Sequence, residues 1–161
     1  MKRMFAGFGL LIAAIMLTGC TTVSPGTAQD DASRSTVSPD DDARAVQGQW
    51  KPVRAELAGK AMTDAVLKII SLKLDDGKYE VFVGDEPDRG TYALDPAPTP
   101  RGMTITGTDG PNRGRTFPAI YELNRDTLRI CYDLSGMKRP AEFKSIAGTR
   151  LYLVTYIRKQ E

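Results

Sequence analysis

The chain contains no histidine. This absence removes the commonest metal ligand and the commonest general base near neutral pH. Serine–histidine and cysteine–histidine catalysis are therefore excluded within these 161 residues. Cysteine is almost absent, being confined to Cys20 and Cys131. Charge of one sign is not in excess either: 22 Lys and Arg face 20 Asp and Glu, for a net charge of +2. A nucleic-acid binder needs a basic footprint, and this composition has none. No apolar run is long enough to span a bilayer, which takes roughly 20 residues. The longest is Met4 to Leu17. Carboxylate chemistry is the remaining enzymic route. Asp85, Glu86 and Asp88 cluster near a turn, but no nucleophile, oxyanion donor or metal cage accompanies them. The expectation is a non-enzyme with no cofactor and no metal, and with these acids in a solvated turn.

What is present begins with an address. Lys2 and Arg3 precede the uncharged run Met4–Leu17, the order of a signal peptide: a basic start, then a short apolar core. The run ends in Leu17-Thr18-Gly19-Cys20, which resembles the lipobox of bacterial lipoproteins. That resemblance implies lipidation of the Cys20 thiol and cleavage between Gly19 and Cys20. Two or more acyl chains anchor a protein stably without a spanning helix. The membrane is thus the first expected partner, through lipid on Cys20. Thr21 stands where an aspartate favours inner-membrane retention in well-studied Gram-negative bacteria, so the periplasmic face of the outer membrane is favoured within the cell envelope. Loss of Lys2 and Arg3 with the leader leaves 20 basic residues against 20 acidic ones. Cys131 is then the lone remaining cysteine and forms no internal disulfide. Its run Leu128–Tyr132 reads as a strand, which predicts a buried, inert thiol.

From Thr21 to Val46 the chain is Thr, Ser, Ala, Asp, Pro and Gly with few large apolar residues. Such a segment buries too little surface to offset its ordering entropy. Residues 20–46 therefore read as a lipidated cysteine and a disordered tether, following a signal peptide at 1–19. Asp40-Asp41-Asp42 lacks the spacing and later glutamate of a calcium loop and reads as a solvated acidic run.

Residues 47–161 read as one all-β domain. Trp50–Leu57 is a first strand, irregular at Pro52, and Lys60–Lys68 holds one short helix. Ile70, Leu72 and Leu74 alternate with Ser71 and Lys73, the period of a half-buried strand. Asp75-Asp76-Gly77-Lys78 is a tight turn, and Tyr79, Val81 and Val83 share one face of the return strand. Five more strands follow, at Gly90–Leu94, Gly102–Thr106, Thr116–Leu123, Thr127–Tyr132 and Arg150–Arg158. Sequential antiparallel strands of this number tend to close into a barrel, which removes exposed edges.

Gly48-Gln49-Trp50 at the start of the first strand resembles the Gly-x-Trp signature of lipocalins. The resemblance implies that Trp50 closes the barrel floor beside Gly48, with Arg158 from the last strand over its ring. A wider resemblance runs through Gln47–Val53, Gly110–Thr116, Ile120–Leu123, Asp126–Cys131 and Arg139–Ser145. These segments are similar to those of an uncharacterised lipocalin-like bacterial domain family abundant in Planctomycetes. The implied fold is a single eight-stranded up-and-down antiparallel barrel with one short helix. No activity comes with it.

Two functions follow from such a barrel. It binds a small apolar ligand inside, or its own side chains fill it and it binds an envelope protein, as an inhibitor or immunity factor does. The inward candidates are Leu72, Leu74, Val81, Tyr92, Ile105, Tyr121, Leu128, Ile130, Leu153 and Tyr156, and the simpler expectation is that they pack a filled core. Loop residues Arg113, Arg115, Met137, Lys138 and Arg139 are the candidates for a protein contact. No ligand-binding residue is identified by sequence alone. A cavity favours the first function, and a packed interior with a protruding loop favours the second.

Overall fold

The structure, a computed structural model, describes residues 39–160. Gly19, Cys20 and most of the expected tether lie outside the described residues. Nine strands form one antiparallel sheet in the order β2-β1-β3-β4-β5-β6-β7-β8-β9, and β1 also pairs with β9. These are β1 Gly48–Leu57, β2 Lys60–Ala61, β3 Ile70–Asp75, β4 Lys78–Val83, β5 Glu86–Asp95, β6 Arg101–Asp109, β7 Thr116–Asn124, β8 Thr127–Asp133 and β9 Leu151–Arg158. The two-residue β2 is a spur on β1, so eight strands make the closed wall of an up-and-down barrel. This is a lipocalin-like fold, as the sequence predicts. Ser35–Glu161 is one compact unit whose ladders close on themselves, the property of a domain that folds alone.

Local chemistry explains the register. Asp75 pairs with Lys78, and the two turn residues between them, Asp76 and Gly77, have φ of 43° and 72°. Asp-Gly suits this hairpin because its turn needs positive φ at both positions. On the first strand, Trp50 and Pro52 face inward, a bulge intervenes between Pro52 and Arg54, and Ala55 then takes the inward side. The bulge reverses the alternation. Pro52 lies beyond the residues that β1 pairs with β3, where its missing N–H leaves no ladder bond unmade.

Helix α1, Pro39–Ala45, corrects the limit of the tether, whose last residues belong to the fold. Val46 is fully buried behind it. The carboxylate of Asp42 accepts from Arg101 Nη1 at 2.8 and 2.9 Å and from the Tyr121 hydroxyl at 2.5 Å. Asp42 is thus no part of a solvated acidic run, and its burial is tolerated because a cation and a hydroxyl partner it. Helix α2, Asp64–Lys68, is shorter than the Lys60–Lys68 segment assigned to it, whose first residues form β2. It lies at the opposite end of the barrel, where the β4–β5, β6–β7 and β8–β9 connections also gather.

Candidate functional site

The interior is not filled. A cavity of about 310 Å³ runs from mid-barrel to the end that carries α2, which corrects the expectation of a packed core. Small-molecule sites occupy ~300–1,000 Å³, so this one lies at the small end. Leu72, Leu74, Met103, Ile105 and Ile130 form its aliphatic walls, and Leu57, Met62, Val66 and Val83 surround the mouth. Val66 and Val83 remain exposed there.

Nine of the ten inward assignments hold: Leu72, Leu74, Val81, Tyr92, Ile105, Tyr121, Leu128, Ile130 and Tyr156 are buried or packed against the core cluster. Leu153 is the exception. It pairs with Cys131 on β8 and lies on the outer face beside Arg129 and Phe143, while Tyr152, Val154 and Tyr156 take the inward positions. The run Leu151–Tyr156 is apolar on both faces apart from Thr155, so alternation carries no signal there. The outer face is covered because residues 139–147 lie across it. The Ser145 hydroxyl accepts from Gly59 N at 2.9 Å and donates to Leu151 O at 3.0 Å. Arg129 stacks on Phe143 at 4.2 Å. Beneath this strap Ile120 and Cys131 are buried outside the main core cluster. Burial raises the Cys131 thiol pKa, in keeping with an unreactive cysteine.

Polar groups enter the cavity at two places. Tyr132 and Tyr152, cross-strand partners on β8 and β9, stack with ring centroids 5.7 Å apart. Tyr156, also on β9, adjoins them in the lining. Desolvation pushes all three phenols up, Tyr152 to about 12, so they stay neutral donors at any physiological pH. The second group is at the mouth. Asp88 Oδ2 accepts from the Tyr79 hydroxyl at 3.1 Å and from Asn112 Nδ2 at 2.9 Å, and Oδ1 accepts from Asn112 N at 3.1 Å. Desolvation, and then the charge of Asp88, raise the Tyr79 pKa. Gly90 makes this arrangement possible, since a Cβ there would lie 2.5 Å from the Tyr79 ring and 2.0 Å from Thr106 O. Asp88 therefore corrects the reading of Asp85, Glu86 and Asp88 as one solvated turn. Asp85 and Glu86 are exposed, but Asp88 lies on the inward side of β5 and pins the β6–β7 loop.

The other end is closed. Trp50 is 1% exposed, its Nε1 donates to Val46 O at 2.9 Å, and the Arg158 guanidinium lies 4.2 Å from the ring centroid. Arg158 also donates to Ala45 O at 2.6 Å and Gln47 O at 2.5 Å. Gly48 has φ of 129°, a conformation that favours glycine, and a Cβ there would come within 2.7 Å of Arg158 Nη1 and displace the guanidinium. Gly48, Trp50 and Arg158 thus meet at one end of the barrel.

Of the loop residues, Met137 is 87% exposed, and Lys138 and Arg113 are exposed as well. Arg139 is not a free contact: it donates to Asp95 Oδ2 at 3.1 Å and lies against Gly102. Arg115 donates to Leu134 O at 3.0 Å and lies 4.7 Å from the Phe117 ring centroid. Sequence reasoning missed Asp42, Asp88 and the tyrosine pair. For Asp88 a signal existed, since it lies two residues before Gly90 and four before the inward Tyr92.

The chain matches no protein-family model, and neither curated proteins nor solved structures include a significant match. The fold agrees with the lipocalin-like resemblance, and the narrower family likeness rests on its motifs alone.

Proposed function

We propose that this protein is a lipid-anchored lipoprotein of the bacterial cell envelope whose barrel carries a small apolar ligand and performs no catalysis. One observation carries the ligand reading: the cavity of about 310 Å³, lined almost wholly by apolar side chains and tyrosines, opens at one end of an otherwise closed barrel. A few convergent polar groups in an apolar pocket are what a ligand site requires. The anchor rests on the basic start, the short apolar run and Leu17–Cys20, with Thr21 favouring the outer membrane.

The Ser35–Glu161 segment is to be examined by native mass spectrometry as purified and after exposure to an environment-sensitive apolar fluorophore. The expected result is a bound small molecule or a saturable probe, lost in Ile105→Trp, which fills the cavity. A folded protein that takes up neither overturns the reading. For the anchor, Cys20→Ala is expected to leave the precursor uncut and without acyl label. Normal processing of that variant removes the lipoprotein assignment.

The largely exposed Met137, on the β8–β9 connection at the mouth end, supports a second reading, in which an envelope protein docks there. Exposed methionines favour adaptable contacts. An empty barrel that captures a partner through Met137 and Lys138 selects it.

A further inference from the structure

The polar lining of the cavity constrains the head group of its ligand. Among the described residues that line it, Asp88 is the one charged side chain, and no lysine or arginine is present. An ionised carboxylate offers about four acceptor positions. Tyr79 and Asn112 occupy three of those on Asp88, which leaves acceptor capacity at the mouth for a donor from a ligand. On β8 and β9, Tyr132, Tyr152 and Tyr156 offer neutral hydroxyls and no cation. A carboxylate placed there loses its water without gaining a counter-charge, and burial of an unpaired charge is costly. Held at the mouth it meets Asp88 as a like charge. Of the rim cations, Arg115 is committed to Leu134 O, Asn112 Oδ1 and the Phe117 ring, and Arg113 and Lys138 are exposed to solvent outside the cavity lining.

From this arrangement we infer that the cavity selects by head group: it takes an apolar ligand whose polar end donates a hydrogen bond, a hydroxyl or an ammonium, and rejects carboxylates. Asp88 is the residue that imposes the choice. This inference rests on the ligand-carrier reading, and the test separates the two.

The test uses the Ser35–Glu161 segment with dodecylamine, dodecanol and dodecanoate, each below its aggregation concentration, in fluorophore-displacement titrations. These probes share one chain and differ in head. Dodecylamine and dodecanol are expected to bind at least roughly tenfold more tightly than dodecanoate, the scale of one like-charge contact near a protein surface. In Asp88→Asn, dodecanoate is expected to gain about tenfold, dodecylamine to lose a similar factor and dodecanol to change little. The head-group comparison on the unaltered protein stands even where Asp88→Asn fails to fold. If dodecanoate binds as tightly as the other two, and Ile105→Trp abolishes binding of all three, the carrier reading survives and the inference falls. Failure of all three probes to bind the folded protein overturns both.

Discussion

Arg158 closes the barrel floor by two means at once: its guanidinium covers the Trp50 ring, and its Nη atoms cap the carbonyls of Ala45 and Gln47. The indole is thereby shielded on the face that solvent would reach, and its N–H is satisfied by Val46 O. Trp50→Ala removes a fully buried ring and leaves a hole under the arginine. The expected cost is ~3–5 kcal/mol, the range for large aromatic truncations, a major share of the stability of a domain this size. Urea unfolding of the Ser35–Glu161 segment measures it, and an unchanged midpoint removes Trp50 from the core. This site was legible because Gly48, Trp50 and Arg158 lie at the first and last strands, which closure brings together. Asp42 was not legible. Its burial depends on Arg101 and Tyr121, 59 and 79 residues away in sequence, and a short helix with three acids reads locally as solvated.

The connection between β8 and β9 shows how far an element can be read before its context is known. The sequence predicts both strands, although Leu128, Arg129 and Ile130 alternate in β8 and Leu151–Tyr156 in β9 does not. It predicts a buried Cys131 but not what buries it: residues 139–147 fold back over the outer face and cover Cys131 and Ile120. Arg139, Phe143 and Ser145, which carry the wider family resemblance, are parts of that strap. The connection starts at Asp133, which is 7% exposed and accepts from Ser135 N at 2.8 Å, Lys138 N at 2.9 Å and Met137 N at 3.2 Å. Burial alone raises its pKa, but the bonds from Ser135, Lys138 and Met137 outweigh burial and hold it below the ordinary carboxylate value. The sign follows from linkage: a depressed carboxylate stabilises the fold above the unfolded pKa of ~3.9 and loses that contribution as pH falls through its lower folded value. Asp133→Asn is therefore expected to cost about 1–3 kcal/mol at pH 7, the scale of hydrogen bonds to a charged group. The gap between wild type and variant is expected to close below about pH 4. Parallel urea titrations across this range check it, and a gap that persists undiminished in acid contradicts the assignment.

At the scale of the whole molecule, the chain enters the barrel through α1 at the Trp50 end, and the cavity opens at the other. The two ends differ because the β3–β4 and β7–β8 connections at the closed end are tight hairpins, whereas α2 and the longer β6–β7 and β8–β9 loops surround the mouth. Strand count and order were legible through period-2 alternation and turn chemistry. The cavity was not, because interior volume depends on how large and small side chains meet across the barrel, which no local pattern records. Under the proposed anchor this polarity has a consequence: attachment through the chain ahead of α1, which enters at the floor, leaves the mouth free. The lipidated full-length protein in phospholipid vesicles is expected to bind dodecanol, corrected for partition of the probe into lipid, with the same affinity as the Ser35–Glu161 segment. Equal affinities mean that the anchor holds the barrel without covering its entrance. A large loss on the vesicle means that the mouth rests against the bilayer, with exposed Val66, Ile69, Val83 and Met137 as the surface that meets it.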